Sequence, residues 1–295
     1  MRVFEIRNIA AGVALLFGCA FVARAADVLI SDPKSSPESL TVAPGGAVIV
    51  GSASSPFVYK IKPHATTADK FIDASAEPAG TFFFGMLAEP ATKTLWTCQL
   101  TPVAESTPPR RHTALRSFDL ESGAPKIRWD LPGDSNVCND FAIGPDRALY
   151  ITDTSNAKIY RLPAGAKTAD LFASDPLLRG IDGITFLNGT LYVNSVTASK
   201  IFRIPVTDGK AGTPVEITLD QPIKGPDGMR AANGKIFVAE NGAGKITALT
   251  INGDKGTVAV LKDGLKTPTG IEPAGDTLWF TERATGKVMS MPMPK

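Results

Sequence analysis

The sequence predicts an all-β fold, a six-bladed β-propeller, on three observations. Helical periodicity is almost absent, turn-forming residues are dense, and one strand pattern recurs at a spacing of about 40–50 residues. The 295 residues include 23 prolines and 27 glycines, spread along the whole chain. Between them lie short β-rich runs. Five segments share one form, a small polar or acidic pair, an apolar strand, a Gly-containing turn and an apolar-aromatic strand. They are ESLTVAPGGAVIVGSA from Glu38, NDFAIGPDRALYITDT from Asn139, DGITFLNGTLYVNSV from Asp182, DGMRAANGKIFVAEN from Asp227 and TGIEPAGDTLWFTER from Thr269. Tyr150, Tyr192, Phe237 and Trp279 hold one phase, with steps of 42, 45 and 42 residues. Trp96 in TLWTCQ marks a sixth, weaker copy, and third strands follow in KIYRLPAG, KIFRIPVT, KITALTIN and KVMSMPMP.

In chain order, residues 1–25 read as a signal peptide. Arg2 and Arg7 precede an apolar run over 9–22 and an Ala23-Arg24-Ala25 cleavage signal. That run falls short of the roughly 20 residues a membrane span needs. The expectation is export, most simply to a bacterial periplasm, with no stable membrane insertion after cleavage. Removal of Arg2, Arg7, Arg24 and Glu5 would leave 28 basic against 28 acidic residues in 26–295. A balanced charge gives no electrostatic basis for binding nucleic acid or an anionic membrane. A small molecule is the expected partner, and the oligomeric state is left open.

The remaining 270 residues divide into six units of 45. The expected blades are 37–75, 81–132, 136–176, 178–222, 223–265, and 266–295 together with 26–31. The last repeat stops after its third strand, so ADVLIS at 26–31 is expected to supply its outer strand and close the ring. An open ring would expose two apolar sheet faces. Blade two carries a long segment, 99–120, between its second and third strands. Its Arg110, Arg111 and His112 are lid candidates, the alternative being a solvated excursion. Cys98 and Cys138 form one disulfide in an oxidising compartment or remain two buried thiols.

In a propeller the first strand of each blade lines the central channel, so residues at its start gather at one mouth. Glu38, Asn139, Asp182 and Asp227 all fall there. Four oxygen-bearing side chains on one axis repel one another without a cation, and carboxylate and amide oxygens suit a hard divalent ion such as Ca²⁺. Each residue alone is also an ordinary turn former. No G-x-S-x-G occurs, which removes the usual nucleophile elbow of a serine hydrolase.

NDFAIGPDRALYITDT and GPDGMRAANGKIFVAEN resemble elements of the regucalcin/gluconolactonase (SMP-30/gluconolactonase/LRE-like) family of six-bladed propellers. The resemblance implies a metal-dependent lactone or ester hydrolase. It assigns Glu38, Asp182 and Asp227 to a divalent metal, Asn139 to substrate, and Asp227 to general-base catalysis. Ca²⁺ is the expected ion, and the resemblance also admits Zn²⁺ or Mn²⁺. Three departures stand against it. Glu38 is followed by Ser39-Leu40 where the family has Gly-Pro, Asp182 replaces an asparagine, and Val137 stands where an arginine is expected. The missing arginine keeps open a second reading, a non-catalytic propeller that binds a small ligand or a protein.

Overall fold

A computed structural model describes residues 27–107, 110–133 and 135–294, and the signal-peptide expectation lies outside them. The described chain is all-β, with three single-turn 3-10 segments and no α-helix. Its strands form antiparallel meanders in a propeller architecture. Cys138–Ile143, Leu149–Asp153, Lys158–Leu162 and Asp170–Ser174 make one sheet in chain order. The sheets that begin at Pro37–Val42, Phe82–Glu89, Ile181–Leu187 and Pro226–Ala232 repeat this plan, the first two joined by the single pair Ser52↔Phe83. The sheet that begins at Pro268–Ala274 takes its fourth strand from Asp27–Leu29, which pairs antiparallel with Lys287–Pro292.

The first strands of successive sheets touch in a cycle. Pro37–Val42 meets Phe82–Glu89, and contact passes through Cys138–Ile143, Ile181–Leu187 and Pro226–Ala232 to Pro268–Ala274, which returns to Pro37–Val42. The apolar core lies between neighbouring sheets. Tyr150 and Ile159 of one sheet, for example, pack with Ile184, Val193 and Phe202 of the next. The phased aromatics fill these seams, so their spacing reports sheet-to-sheet burial rather than a binding feature.

Each first strand opens with a β-bulge, seen as register shifts between Pro37 and Leu40, Phe84 and Met86, Cys138 and Phe141, Ile181 and Ile184, Pro226 and Met229, and Pro268 and Ile271. A bulge leaves ladder groups unpaired and re-aims a side chain. Here second-strand side chains take up the unpaired groups. Asn194 Oδ1 accepts from Gly183 N at 3.0 Å while its Nδ2 donates to Asp227 O at 2.6 Å in the next sheet. Thr152 does the same between Asp140 N (3.0 Å) and Asp182 O (2.8 Å), and Thr281 between Gly270 N (2.7 Å) and Glu38 O (3.1 Å).

In four sheets, those of Gly85, Gly183, Gly228 and Gly270, the close approach demands glycine in the bulge. A Cβ on Gly228 would lie 2.4 Å from Thr269 O, on Gly183 2.5 Å from Asp227 O, and on Gly85 2.2 Å from Asn139 O. Gly228→Ala should therefore cost roughly 1–3 kcal/mol, as overpacking against backbone does. Urea unfolding checks this as a lowered midpoint with an unchanged slope.

Candidate functional site

The first bulge residues of the six strands are Glu38, Phe84, Asn139, Asp182, Asp227 and Thr269. Glu38, Asn139, Asp182 and Asp227 are all buried and line one cavity, together with Asp140, Arg230 and Thr269. The four residues singled out in the sequence are thus brought together. The cavity's free volume is about 10 Å³, room for roughly one water-sized occupant. A sugar ring does not fit inside it, so any larger ligand must lie over it.

Asn139 Nδ2 donates to Asp182 Oδ2 at 2.8 Å and to Thr154 Oγ1 at 3.0 Å. Asn241 Nδ2 donates to Asp227 Oδ2 at 3.1 Å, and Glu38 Oε2 is buried with no partner. Burial pushes Asp227 up to about 7, against the Asn241 hydrogen bond and the charge of Arg283. Burial, then repulsion from Asp227, holds Glu38 well above the usual carboxylate range, and the same two causes raise Asp182. The carboxylates are therefore held as a strained like-charge set.

Among the described residues, no three His, Cys, Asp or Glu side chains are drawn tightly enough together to form a ready metal cage. Asp182 and Asp227 instead engage Asn139 and Asn241. The donor chemistry still fits a hard cation. The orphaned Glu38 oxygen, three carboxylates and the amide of Asn139 are all oxygen donors.

Sequence reasoning missed the floor of the cavity. Arg230 Nη1 and Nη2 donate to Asp140 Oδ2 and Oδ1 at 2.7 and 2.9 Å, a bidentate pair, and Nε donates to Glu272 Oε2 at 3.0 Å. The carbonyls of Met229 (2.9 Å) and Met86 (3.3 Å) accept the remaining bonds. Burial opposes the guanidinium charge, but Asp140 and Glu272 outweigh it and raise the Arg230 pKa, while burial pushes Glu272 up to about 7. Arg230 also lines a second cavity of about 220 Å³, walled by Leu87, Phe141 and Phe186, so the triad divides the two spaces. A signal existed in the sequence. Arg230 and Glu272 each stand three residues after the first bulge residue, the position that faces inward in every repeat.

Arg110, Arg111 and His112 are exposed, and they do not line the cavity. The 99–120 segment is mostly an extended hairpin, Thr94–Pro102 paired with Arg111–Asp119. It runs two pairs beyond Phe82↔Leu100, through Thr101↔His112 and Pro102↔Arg111, on the face where the first strands begin. The Arg111 guanidinium stacks over Phe82, 5.3 Å from the ring centre. Cys98 and Cys138 are joined by a disulfide with Cα atoms 5.5 Å apart, which ties the second strand of one sheet to the residue before Asn139.

Fold and site define a β-propeller with a buried acidic cluster where its first strands begin. Among solved structures it is similar to a gluconolactonase from Xanthomonas campestris, with 18% identity, a TM-score of 0.66, and 88% of this chain and 86% of that one covered. It is also similar to virginiamycin B lyase from Staphylococcus aureus with quinupristin (18% identity, TM-score 0.64, 92% and 99% covered). A third likeness is to the nidogen/laminin complex (18% identity, TM-score 0.63, 84% and 89% covered). No protein-family model and no curated protein sequence matches the chain. At these identities the likeness establishes the fold.

Two measurements probe the electrostatics. An unfolded Asp227 releases its proton near 3.8, whereas the folded one holds it to about 7. Between those values the folded state binds more protons, so the stability of the metal-free protein should fall as pH rises from about 4 to 7. Asp227→Asn should flatten that fall in denaturant titrations across the range, and an unchanged slope would contradict the assignment. Arg230→Met should cost about 3–5 kcal/mol by leaving Asp140 and Glu272 buried without their counter-charge. Adding Asp140→Asn should recover part of that loss in the same unfolding assay.

Proposed function

We propose that the protein is a metal-dependent hydrolase of a lactone or related ester, built on six blades with Asp27–Leu29 as the outer strand that closes the ring. The observation that carries the reading is the cluster of Glu38, Asp182 and Asp227 with Asn139 around a cavity the size of one small occupant. Glu38, Asp182 and Asp227 would hold a divalent cation, Ca²⁺ by donor chemistry, with Zn²⁺ or Mn²⁺ as alternatives from the family resemblance. The structural likeness to a gluconolactonase supports the substrate class.

When bound, such an ion polarises the ester carbonyl and acidifies water. The chain's own residues supply the rest. Asp227 would take a proton from the attacking water; its metal-free pKa, raised by burial to about 7, falls once a cation neutralises the cluster. Asn241 fixes its orientation through the 3.1 Å hydrogen bond. Asn139, whose two Nδ2 hydrogens go to Asp182 and Thr154, would accept from a substrate hydroxyl through Oδ1, and Arg110, Arg111 and His112 would stand on the hairpin as a lid. Water adds to the acyl carbon, the ring C–O bond breaks, and the products are a carboxylate and a hydroxyl.

Cleavage after Ala25 and export to a periplasm complete the proposal, supported by the Cys98–Cys138 disulfide, which persists in oxidising compartments. No helix among the described residues is long and apolar enough to cross a membrane. One observation favours a second reading, a binding module without turnover: Val137 precedes the Cys138–Asn139 pair where an arginine would grip substrate. Titration with Ca²⁺ or Mn²⁺ should raise the melting temperature, and a lactone panel should show metal-dependent turnover. Asp227→Ala should lower that turnover by about 10²–10⁴-fold in a folded protein. Metal binding with no turnover selects the binding module, and absence of metal binding removes both.

A further inference from the structure

The bulge of the last sheet holds no acid. It presents Thr269 between Asp227 on one side and Glu38 on the other. The same sheet contributes Arg283, in the turn that follows Thr277–Glu282. Arg283 is half-buried, its backbone N–H donates to Thr267 O at 3.0 Å, and its Nε donates to Ser36 Oγ at 3.1 Å. Ser36 lies two residues before Glu38, so the guanidinium is anchored at the seam between the last and first sheets. Its charge is felt at both Glu38 and Asp227 and opposes the upward push of burial on each. Among the described residues its Nη groups have no hydrogen-bond or ion-pair partner.

Five of the ten described arginines are engaged by acids. Arg116, Arg128, Arg161, Arg203 and Arg230 each pair with a carboxylate. The Arg283 guanidinium is held by Nε alone, at Ser36 two residues before Glu38, and its outer fork is unpaired among the described residues. A planar guanidinium fork matches a carboxylate in geometry and charge better than it matches a neutral hydroxyl. The cavity excludes a ring-sized ligand, so a substrate ring would lie outside it, where the Arg283 charge that reaches Glu38 and Asp227 also acts.

We propose that Arg283 determines specificity for an anionic substrate, its Nη pair engaging a carboxylate carried by the ligand, so that the preferred class is a hydroxy-acid lactone with a second carboxylate. The lactone end of that ligand rests on the hydrolase reading above; its anionic end rests on Arg283. The acidic cluster repels an anion, and Arg283 supplies opposing charge from the sheet whose bulge residue is Thr269.

The test compares Ca²⁺-loaded wild type with Arg283→Gln and Arg283→Lys on neutral D-glucono-1,5-lactone and on carboxylate-bearing D-glucaro-1,4-lactone. Calorimetric titration with glucarate in calcium-saturated buffer is the independent readout. Arg283→Gln should raise KM for the glucarolactone and weaken glucarate binding at least tenfold. The KM effect should be selective for the glucarolactone, any change in kcat through Asp227 should be common to both lactones, and the Lys variant should fall between. If wild type turns over neither lactone, the hydrolase reading fails while calorimetry still decides the role of Arg283. Equal glucarate affinity in wild type and Arg283→Gln, or no glucarate binding by wild type, overturns the proposal. Should Arg283→Gln fail to fold, Ser36→Ala keeps the arginine and frees its anchor. Affinity should then drop about threefold, and an unchanged value counts against the proposal.

Discussion

The two-residue bulge at the start of each inner strand is the constraint on which the site depends. A bulge strands a backbone N–H that would otherwise join the ladder. In three sheets one polar side chain on the second strand, Thr152, Asn194 or Thr281, takes up that N–H and donates to the bulge carbonyl of the next sheet. One interaction therefore completes the local hydrogen bonding and sets the spacing between sheets. The close approach leaves no room for a Cβ at Gly85, Gly183, Gly228 or Gly270, since backbone of the neighbouring sheet stands within 3 Å of where it would be. With the second bulge residue pressed against the neighbour, the first is turned to the mouth. Glu38, Asn139, Asp182 and Asp227 meet there for a backbone reason before any chemical one.

Asp140 departs from that rule, and the departure builds the floor. It occupies the bulge position that holds glycine in four of the other sheets, and its carboxylate reaches Arg230 as a bidentate pair. Taking these charges out of water is costly and is tolerated only when every donor is used. Arg230 meets that condition, with two carboxylates and two carbonyls around it. Among the described residues, Glu38, Asp140, Asp182, Asp227 and Glu272 are nevertheless faced by only Arg230 and Arg283. The upward displacement of Glu38, Asp182, Asp227 and Glu272 follows from that shortage of positive charge together with burial.

The repeat was legible because its cause is periodic. The aromatics recur at 42 to 45 residues since each seals a seam between sheets, and the polar pairs recur since each opens a bulge. The mouth residues could be read from phase alone. Arg230 could not be read as a buried ion without its partner, and Asp140 lies 90 residues away. Within DGMRAANGK it looks like a strand-end arginine facing solvent. Arg283 follows a strand in a turn, where an exposed arginine is commonplace, and only Ser36, 247 residues distant, shows what holds it. The length of 99–120 was visible, but not that most of it extends two paired strands.

Cavity size then separates two kinds of recognition. Space for about one water-sized occupant, walled by carboxylates and an amide, selects by charge and radius and is indifferent to the shape of an organic ligand. Anything larger is read at the rim, by Arg283 and by turns on the face where the inner strands begin. Those turns are free to vary in length and composition because the bulge network beneath them carries the geometry. This division lets one fold host different chemistry, and the solved structures this chain resembles are a gluconolactonase, a virginiamycin B lyase and a nidogen/laminin complex. It also makes Val137 less damaging than it looks, because an arginine lost from one sheet can be supplied by a turn of another, provided a neighbouring side chain fixes it.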